Sequence, residues 1–298
     1  MCVPTSPPLP MDSADTVRDF VFKGYPCSCR VFGRRTPVAD PVVVVGGALQ
    51  NKDSWWTHQR YFGPDADVVT VDLPGSGSAG SLPARYGHDF QADALEHVLA
   101  ETGLRRVSLV GISYGSLVAY RLARRRPDLV ARMVLNGVFD GVPTLMRTTY
   151  ELMVELIDAS RTFEFAEAML SLMSLGADSA DPGRSEALSQ MLRAQFCRMS
   201  RDETDQLLQN ALRNLRHPRL RPFEHAAVPT LVVTGEHDRC TPPEVGRDVA
   251  RMIPGSVCVT FDDAGHVAFL EHPQRYVEML RHFFAGRPTA GLPHCTPF

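Results

Sequence analysis

A serine, an acid and a histidine stand in this 298-residue chain where each follows a short apolar run. Ser113 lies in Gly111-Ile112-Ser113-Tyr114-Gly115. The β-branched run Arg106–Val110 precedes it, and Ser116–Ala123 follows with apolar residues at helical spacing. Asp238 ends Gly235-Glu236-His237-Asp238, after Leu231–Thr234. His266 ends Asp262-Asp263-Ala264-Gly265-His266, after Val257–Phe261. A serine hydroxyl is a weak nucleophile at neutral pH and needs a base within hydrogen-bond reach. A histidine can take that proton, and a carboxylate behind it fixes the ring tautomer and stabilises the imidazolium. These residue types predict a covalent step at Ser113, with His266 as base and Asp238 as the orienting acid.

Such a group needs elements that bring distant residues together. Strands are expected near Val17–Lys23, Ser28–Phe32, Pro41–Val45, Asp67–Val71, Arg106–Val110, Arg132–Leu135, Thr230–Thr234 and Val257–Phe261. Helices are expected at Asp89–Thr102, Tyr114–Arg126, Pro243–Met252 and Pro273–Phe284. This alternation predicts an α/β fold with a mostly parallel eight-stranded sheet covered by helices on both faces. The turn Gly24-Tyr25-Pro26 makes the first two strands an antiparallel edge. Loops at the carboxyl ends of parallel strands converge, so the three residues can meet there. The tight turn puts Ser113 in a strained conformation, and the flanking glycines allow strand and helix to approach. The tetrahedral oxyanion would be held by the backbone N–H groups of Tyr114, next after the nucleophile, and Ala48, just past Gly46-Gly47.

Other residues compete for these roles. Asp140 follows the strand at Arg132–Leu135 and is the second candidate for the acid. Asp262 and Asp263 are too near His266 in sequence to orient it and read as turn formers. His237 should point away from the site, and His58, His88, His97, His272 and His282 read as ordinary surface or core residues.

From about Val17 to Phe284 the chain resembles the α/β-hydrolase superfamily. The strand–G-x-S-x-G–helix context and the order Ser113, Asp238, His266 carry the resemblance. So do Asp72-Leu73-Pro74-Gly75-Ser76-Gly77-Ser78, the acid loop Gly235–Asp238, and Gly265-His266 followed by Leu270-Glu271-His272-Pro273. Serine at the elbow sets the chain apart from relatives that use aspartate there. Ser116 departs from the second glycine usual in the carbon–carbon hydrolases. Gly46-Gly47 departs from the His-Gly of many relatives, and Gly47–Trp55 is similar to the loop of bacterial acyltransferases that use 3-hydroxyacyl groups from acyl carrier protein.

The resemblance places a helical cap between the sixth and seventh core strands. There the strand signal vanishes, and Leu, Met and Phe recur from Leu145 to Leu212. The expected organisation is a hydrolase core of residues 15–139 and 228–285, a cap at 140–227 broken near Gly176–Arg184, and flexible tails at 1–14 and 286–298. Most of the cap's apolar surface serves its own packing. The rest would roof the site, with Leu49, Met146, Met153 and Val267 as candidate pocket residues for a hydrophobic acyl or polyketide-like substrate.

Net charge is −3, and only Lys23 and Lys52 are lysines, so nothing points to nucleic acid. Arg121, Arg124, Arg125 and Arg126 end one helix and suit its dipole. They read as a solvated surface, with docking of an acyl carrier protein as the sharper alternative. The seven cysteines lack metal spacing, so no metal and no cofactor is expected, and Cys240, two residues past the acid, reads as a packing residue, with lining of the site as the alternative. No run is long enough for a membrane span, and a reducing cytoplasm fits the cysteine use. If water attacks the acyl-enzyme, the chain is an esterase or thioesterase. If an alcohol does so, it is an acyltransferase or cyclase. A silent ligand-binding scaffold and a cofactor-free lyase are the remaining readings.

Overall fold

The computed structural model of the chain describes residues 15–33, 39–55, 58–62, 66–173, 182–224 and 228–297. The tail expected at residues 1–14 lies outside the described residues. The described strands are β1 (Thr16–Phe22), β2 (Tyr25–Phe32), β3 (Val42–Val45), β4 (Val68–Asp72), β5 (Val107–Ile112), β6 (Val130–Asn136), β7 (Thr230–Gly235), β8 (Val257–Phe261) and β9 (Cys295–Pro297). They form one sheet in the order β1-β2-β4-β3-β5-β6-β7-β8-β9. Pairing is parallel from β4 through β8 and antiparallel at both edges.

Helices α1 (Gln59–Phe62), α2 (His88–Thr102) and α3 (Tyr114–Arg125) follow β3, β4 and β5. Between β6 and β7 come α4 (Thr144–Asp158), α5 (Thr162–Met173), α6 (Pro182–Cys197) and α7 (Arg201–Arg216). Helix α8 (Pro243–Ala250) follows β7, and α9 (Ala268–Glu271) and α10 (Pro273–Phe284) follow β8. Every residue of β3, β5 and β7 is buried, which is why these strands read as unbroken apolar runs. Alternate residues serve opposite faces. Val43, Val45 and Leu109 join the core with α2, α3 and α8, while Val42, Val44 and Val110 pack with α10.

The C-terminal tail departs from expectation. Instead of a loose end, Cys295–Pro297 adds a ninth strand, with Cys295 opposite Phe261. Leu292, His294 and Cys295 are buried, and the His294 ring lies 5.2 Å from that of Phe261. Isolated apolar residues among Gly, Pro and Thr carry no periodic signal, so this strand had none to read.

Among the contacts that hold the α4–α7 insertion in place, one joins its two ends and another fixes α7 to the sheet domain. Asp140, at its start, accepts a hydrogen bond from Arg219 Nη1 (2.8 Å) and another from the N–H of Leu220, near its end. Arg213 of α7 is 1% exposed. Its guanidinium donates to the carbonyls of Tyr86, Leu82 and Pro83, to Asn210 Oδ1 and to the Tyr114 hydroxyl. All five donors are thereby matched without a carboxylate. The break expected at 176–184 falls largely outside the described residues, and α6 already begins at Pro182.

Candidate active site

Ser113 stands between β5 and α3 with φ 49° and ψ −111°, a conformation L-residues avoid. Its N–H donates to Asn136 O (2.7 Å), and its own carbonyl accepts the Ser116 N–H (2.9 Å). The buried Ser116 hydroxyl reaches the carbonyls of Gly111 and Asn136 at 2.7 and 2.9 Å, closing the turn onto β6. Gly115 is dictated by contact, because a Cβ there would lie 2.2 Å from Val45 O. The strand-to-helix turn therefore presses against β3, whose following loop carries Ala48.

Asp238 and His266 follow β7 and β8, and all three candidate residues meet at the carboxyl edge of the sheet. His266 Nε2 is 2.9 Å from Ser113 Oγ, and its Nδ1 is 2.8 Å from Asp238 Oδ2. Asp238 is 3% exposed and His266 6%. Burial of the ring disfavours its charge, but the Asp238 carboxylate and the neighbouring Cys240 sulfur together favour it, and the net effect holds the His266 pKa well above 6.5. Cys240 lies beside the pair, and burial raises its pKa, which keeps it a neutral thiol.

Several supporting groups carried no sequence signal. Thr241 donates its N–H to Asp238 Oδ1 and its hydroxyl to Asp238 Oδ2, both at 2.8 Å. Glu271, 7% exposed, receives the Gly265 N–H on its two oxygens at 3.0 and 3.1 Å, directly before His266. Burial pushes its pKa up to about 7. The Tyr114 side chain is buried and donates to Gln91 Oε1 at 2.6 Å while accepting from Arg213.

The loop after β3 is fixed from two sides. Gln50 Oε1 accepts the Gly47 N–H (2.8 Å), and a Cβ on Gly46 would lie 2.7 Å from Gln50 Cβ. Glycine at position 46 is thus a consequence of how Gln50 folds back. On the other side, fully buried Asp72 accepts from Lys52 N (2.6 Å), Ser78 N (2.9 Å) and Ser78 Oγ (2.8 Å). The Asp72–Ser78 pattern therefore ties this loop to the one after β4. The backbone N–H groups of Ala48 and Tyr114 have no acceptor among the described residues.

A cavity of about 80 Å³ opens at Ser113 and His266. Leu49, Val267 and Cys240 line it, together with Tyr150, Met169 and Met173. Met146 and Met153 do not. Both are wholly buried in the core on the face of α4 that also carries Leu156, and the methionines at the cavity come from α5. Helical periodicity identified a buried face without saying what it faced.

The competing residues lie elsewhere. Asp140 is engaged with Arg219 and Leu220. Asp263 turns the chain at φ 55°, with its N–H on Glu236 Oε2 (3.0 Å). His58 packs against Trp55, and His88 reaches Asn214 Oδ1 at 3.1 Å. In the basic cluster, Arg121 and Arg125 pair with Asp89 and Asp93, and Arg126 with Glu96 and Asp128. Arg121 itself is buried, and the more exposed Arg125 and Arg126 are paired with these acids. No group of three or more metal-ligating side chains occurs among the described residues. No described helix is long and apolar enough to cross a membrane.

Residues 40–273 match the family model of the alpha/beta hydrolase fold, and the chain belongs to that family. It is 31% identical over 230 residues to a pimeloyl-[acyl-carrier protein] methyl ester esterase of Methylococcus capsulatus, covering 73% of this chain and 84% of that one. It is 26% identical over 260 residues to a 2-hydroxy-6-oxononadienedioate/2-hydroxy-6-oxononatrienedioate hydrolase of Klebsiella pneumoniae, covering 83% and 87%. Among solved structures it resembles the enol-lactonase from Burkholderia xenovorans LB400, with TM-score 0.77 and 20% identity, over 90% of this chain and 100% of that one. The last likeness speaks to the fold alone. The chain is thus an enzyme of the alpha/beta hydrolase family.

Proposed function

We propose that this enzyme is a serine esterase or thioesterase acting on a substrate with an apolar acyl part. The observation that carries the reading is the unbroken chain Asp238–His266–Ser113, bonded at 2.8 and 2.9 Å and opening onto a cavity walled mainly by apolar side chains. Ser113 Oγ attacks the acyl carbon as His266 takes its proton. The oxyanion is received by the N–H groups of Ala48 and Tyr114, which have no other acceptor among the described residues. The tetrahedral intermediate collapses, and His266 gives the proton to the departing alkoxide or thiolate. Water then attacks the acyl-enzyme with His266 again as base, releasing the acid and free Ser113. The inserted helices α4–α7 act as a cap over this site, since α5 supplies three of its lining residues, Met169, Leu172 and Met173.

The esterase relative named for an acyl-carrier-protein methyl ester supports an acyl substrate, and a carrier-bound one fits the same chemistry. A second reading, acyl transfer to an alcohol, rests on the Gly46-Gly47 turn and its Gln50 latch. One assay separates the two. p-Nitrophenyl esters are supplied with and without a primary alcohol, and acid and new ester are quantified. Acid as the main product supports the hydrolase. New ester outweighing acid in mostly aqueous buffer supports transfer and overturns the first reading.

A further inference from the structure

The cavity at Ser113, of about 80 Å³, is the smaller of two adjoining spaces. A second cavity, of about 210 Å³, adjoins it. Leu49, Gln50, Met173, Val267 and Phe269 line both, so the two share a wall that is apolar except for Gln50. The Gln50 side-chain oxygen is turned onto the Gly47 N–H, away from any role as a free acceptor. The far wall of the second chamber is α6, through Met191, Leu192, Gln195 and Phe196. Neither Ser113 nor His266 reaches it. Met173 stands at the partition, and methionine readily changes rotamer to admit an apolar chain.

We propose that the second chamber is the acyl-chain site, taking the distal part of an unbranched, medium-length aliphatic acyl group against its apolar walls. This inference rests on the acyl-enzyme reading above. The chain runs from Ser113 past Leu49 and Met173 and ends against Leu192 and Phe196. The leaving alcohol or thiol departs on the His266 side.

Leu192 faces the chamber, is 8% exposed and is remote from the reacting atoms, so it is the position to vary. Two series of substrates are compared: p-nitrophenyl esters from acetyl to dodecanoyl, and acetate esters of alcohols of the same lengths. In the wild type, kcat/KM should rise roughly two- to fourfold per methylene to an optimum within the acyl series, with little gain in the alcohol series. Leu192→Trp should lower the octanoyl-to-acetyl ratio at least tenfold, and Leu192→Ala should move the optimum to longer chains. Calorimetric titration of octanoate into Ser113→Ala gives a readout free of turnover, and its binding should be lost on adding Leu192→Trp. A chain-length profile that Leu192→Trp leaves unchanged would overturn the assignment. So would length dependence confined to the alcohol series, or absence of octanoate binding. If esters are not turned over but octanoate binds in a Leu192-dependent way, the acyl-enzyme reading fails while the chamber stands.

Discussion

The backbone N–H of His266 donates to the carbonyl of Met173, 3.0 Å away. The candidate base is thus pinned to the last residue of α5, a helix of the insertion, as well as to Asp238 and Ser113. Met173 also stands in the wall between the two cavities. Whatever moves α5 to admit substrate therefore acts on the backbone of His266.

This linkage predicts shared opening. Ala166 is fully buried within α5, and glycine there weakens the helix by about 1 kcal/mol. Ala166→Gly should raise the exchange rate of the His266 amide about fivefold together with those of α5. The Thr241 amide, held by Asp238 Oδ1, should keep its protection. Hydrogen exchange followed by mass spectrometry or NMR reads this directly. An unaltered His266 amide beside faster α5 amides would break the linkage.

The choice of acid is equally testable. His266 must be neutral to act as base, and its pKa lies above 6.5 because Asp238 is beside it. The rising limb of kcat/KM should accordingly centre above pH 6.5. In Asp238→Asn, burial no longer has an opposing carboxylate, so the limb should move to lower pH while kcat falls about 10³- to 10⁴-fold. Asp140→Ala should leave both within about threefold, at some loss of stability where the insertion joins the sheet domain. A large rate loss in Asp140→Ala with Asp238→Asn nearly intact would reverse the assignment.

Glu271 should make stability fall as pH rises. Its pKa is raised from 4.5 to about 7, so the folded state favours the protonated form. The associated stabilisation is complete below pH 4.5 and is lost as pH rises through 7, about 3 kcal/mol in all. Glu271→Gln keeps an acceptor for the Gly265 N–H but does not ionise. The difference in unfolding free energy between variant and wild type should therefore grow in favour of the variant from pH 5 to pH 8. A constant difference across that range would show that the carboxyl does not titrate there.

Arg213 should be irreplaceable even by lysine. Lysine has three donors for the five acceptors now served. Leaving buried carbonyls unmatched makes Arg213→Lys less stable by about 2 kcal/mol or more in urea unfolding. A change below about 0.5 kcal/mol would mean that water or side chains replace the lost bonds.

Ser113, Asp238 and His266 were legible because each follows an apolar strand and a short loop, and parallel strands carry such loops to one edge. The residues that hold them were not. Thr241 is an ordinary threonine until Asp238 folds back on it, and Arg213 reads as the polar side of a helix though it is fully enclosed. Glu271 and Met173 act through backbone groups far away or around a turn. β9 is three residues ending in proline, with nothing to mark it as a strand. Met146 and Met153 show the limit of periodicity, which separates inside from outside but not core from cavity. Gly46 was legible as a departure from the pattern of relatives, and its cause, the folded-back Gln50, became visible only in three dimensions.

The nucleophile itself is tested most directly by intact mass after exposure to a fluorophosphonate, with peptide mapping of the adduct, in wild type and Ser113→Ala. The triad geometry requires one adduct per chain, located on Ser113, formed faster as pH rises past the His266 pKa, and absent from Ser113→Ala. A folded wild-type enzyme that takes up no label, or that is labelled equally in Ser113→Ala, would contradict it.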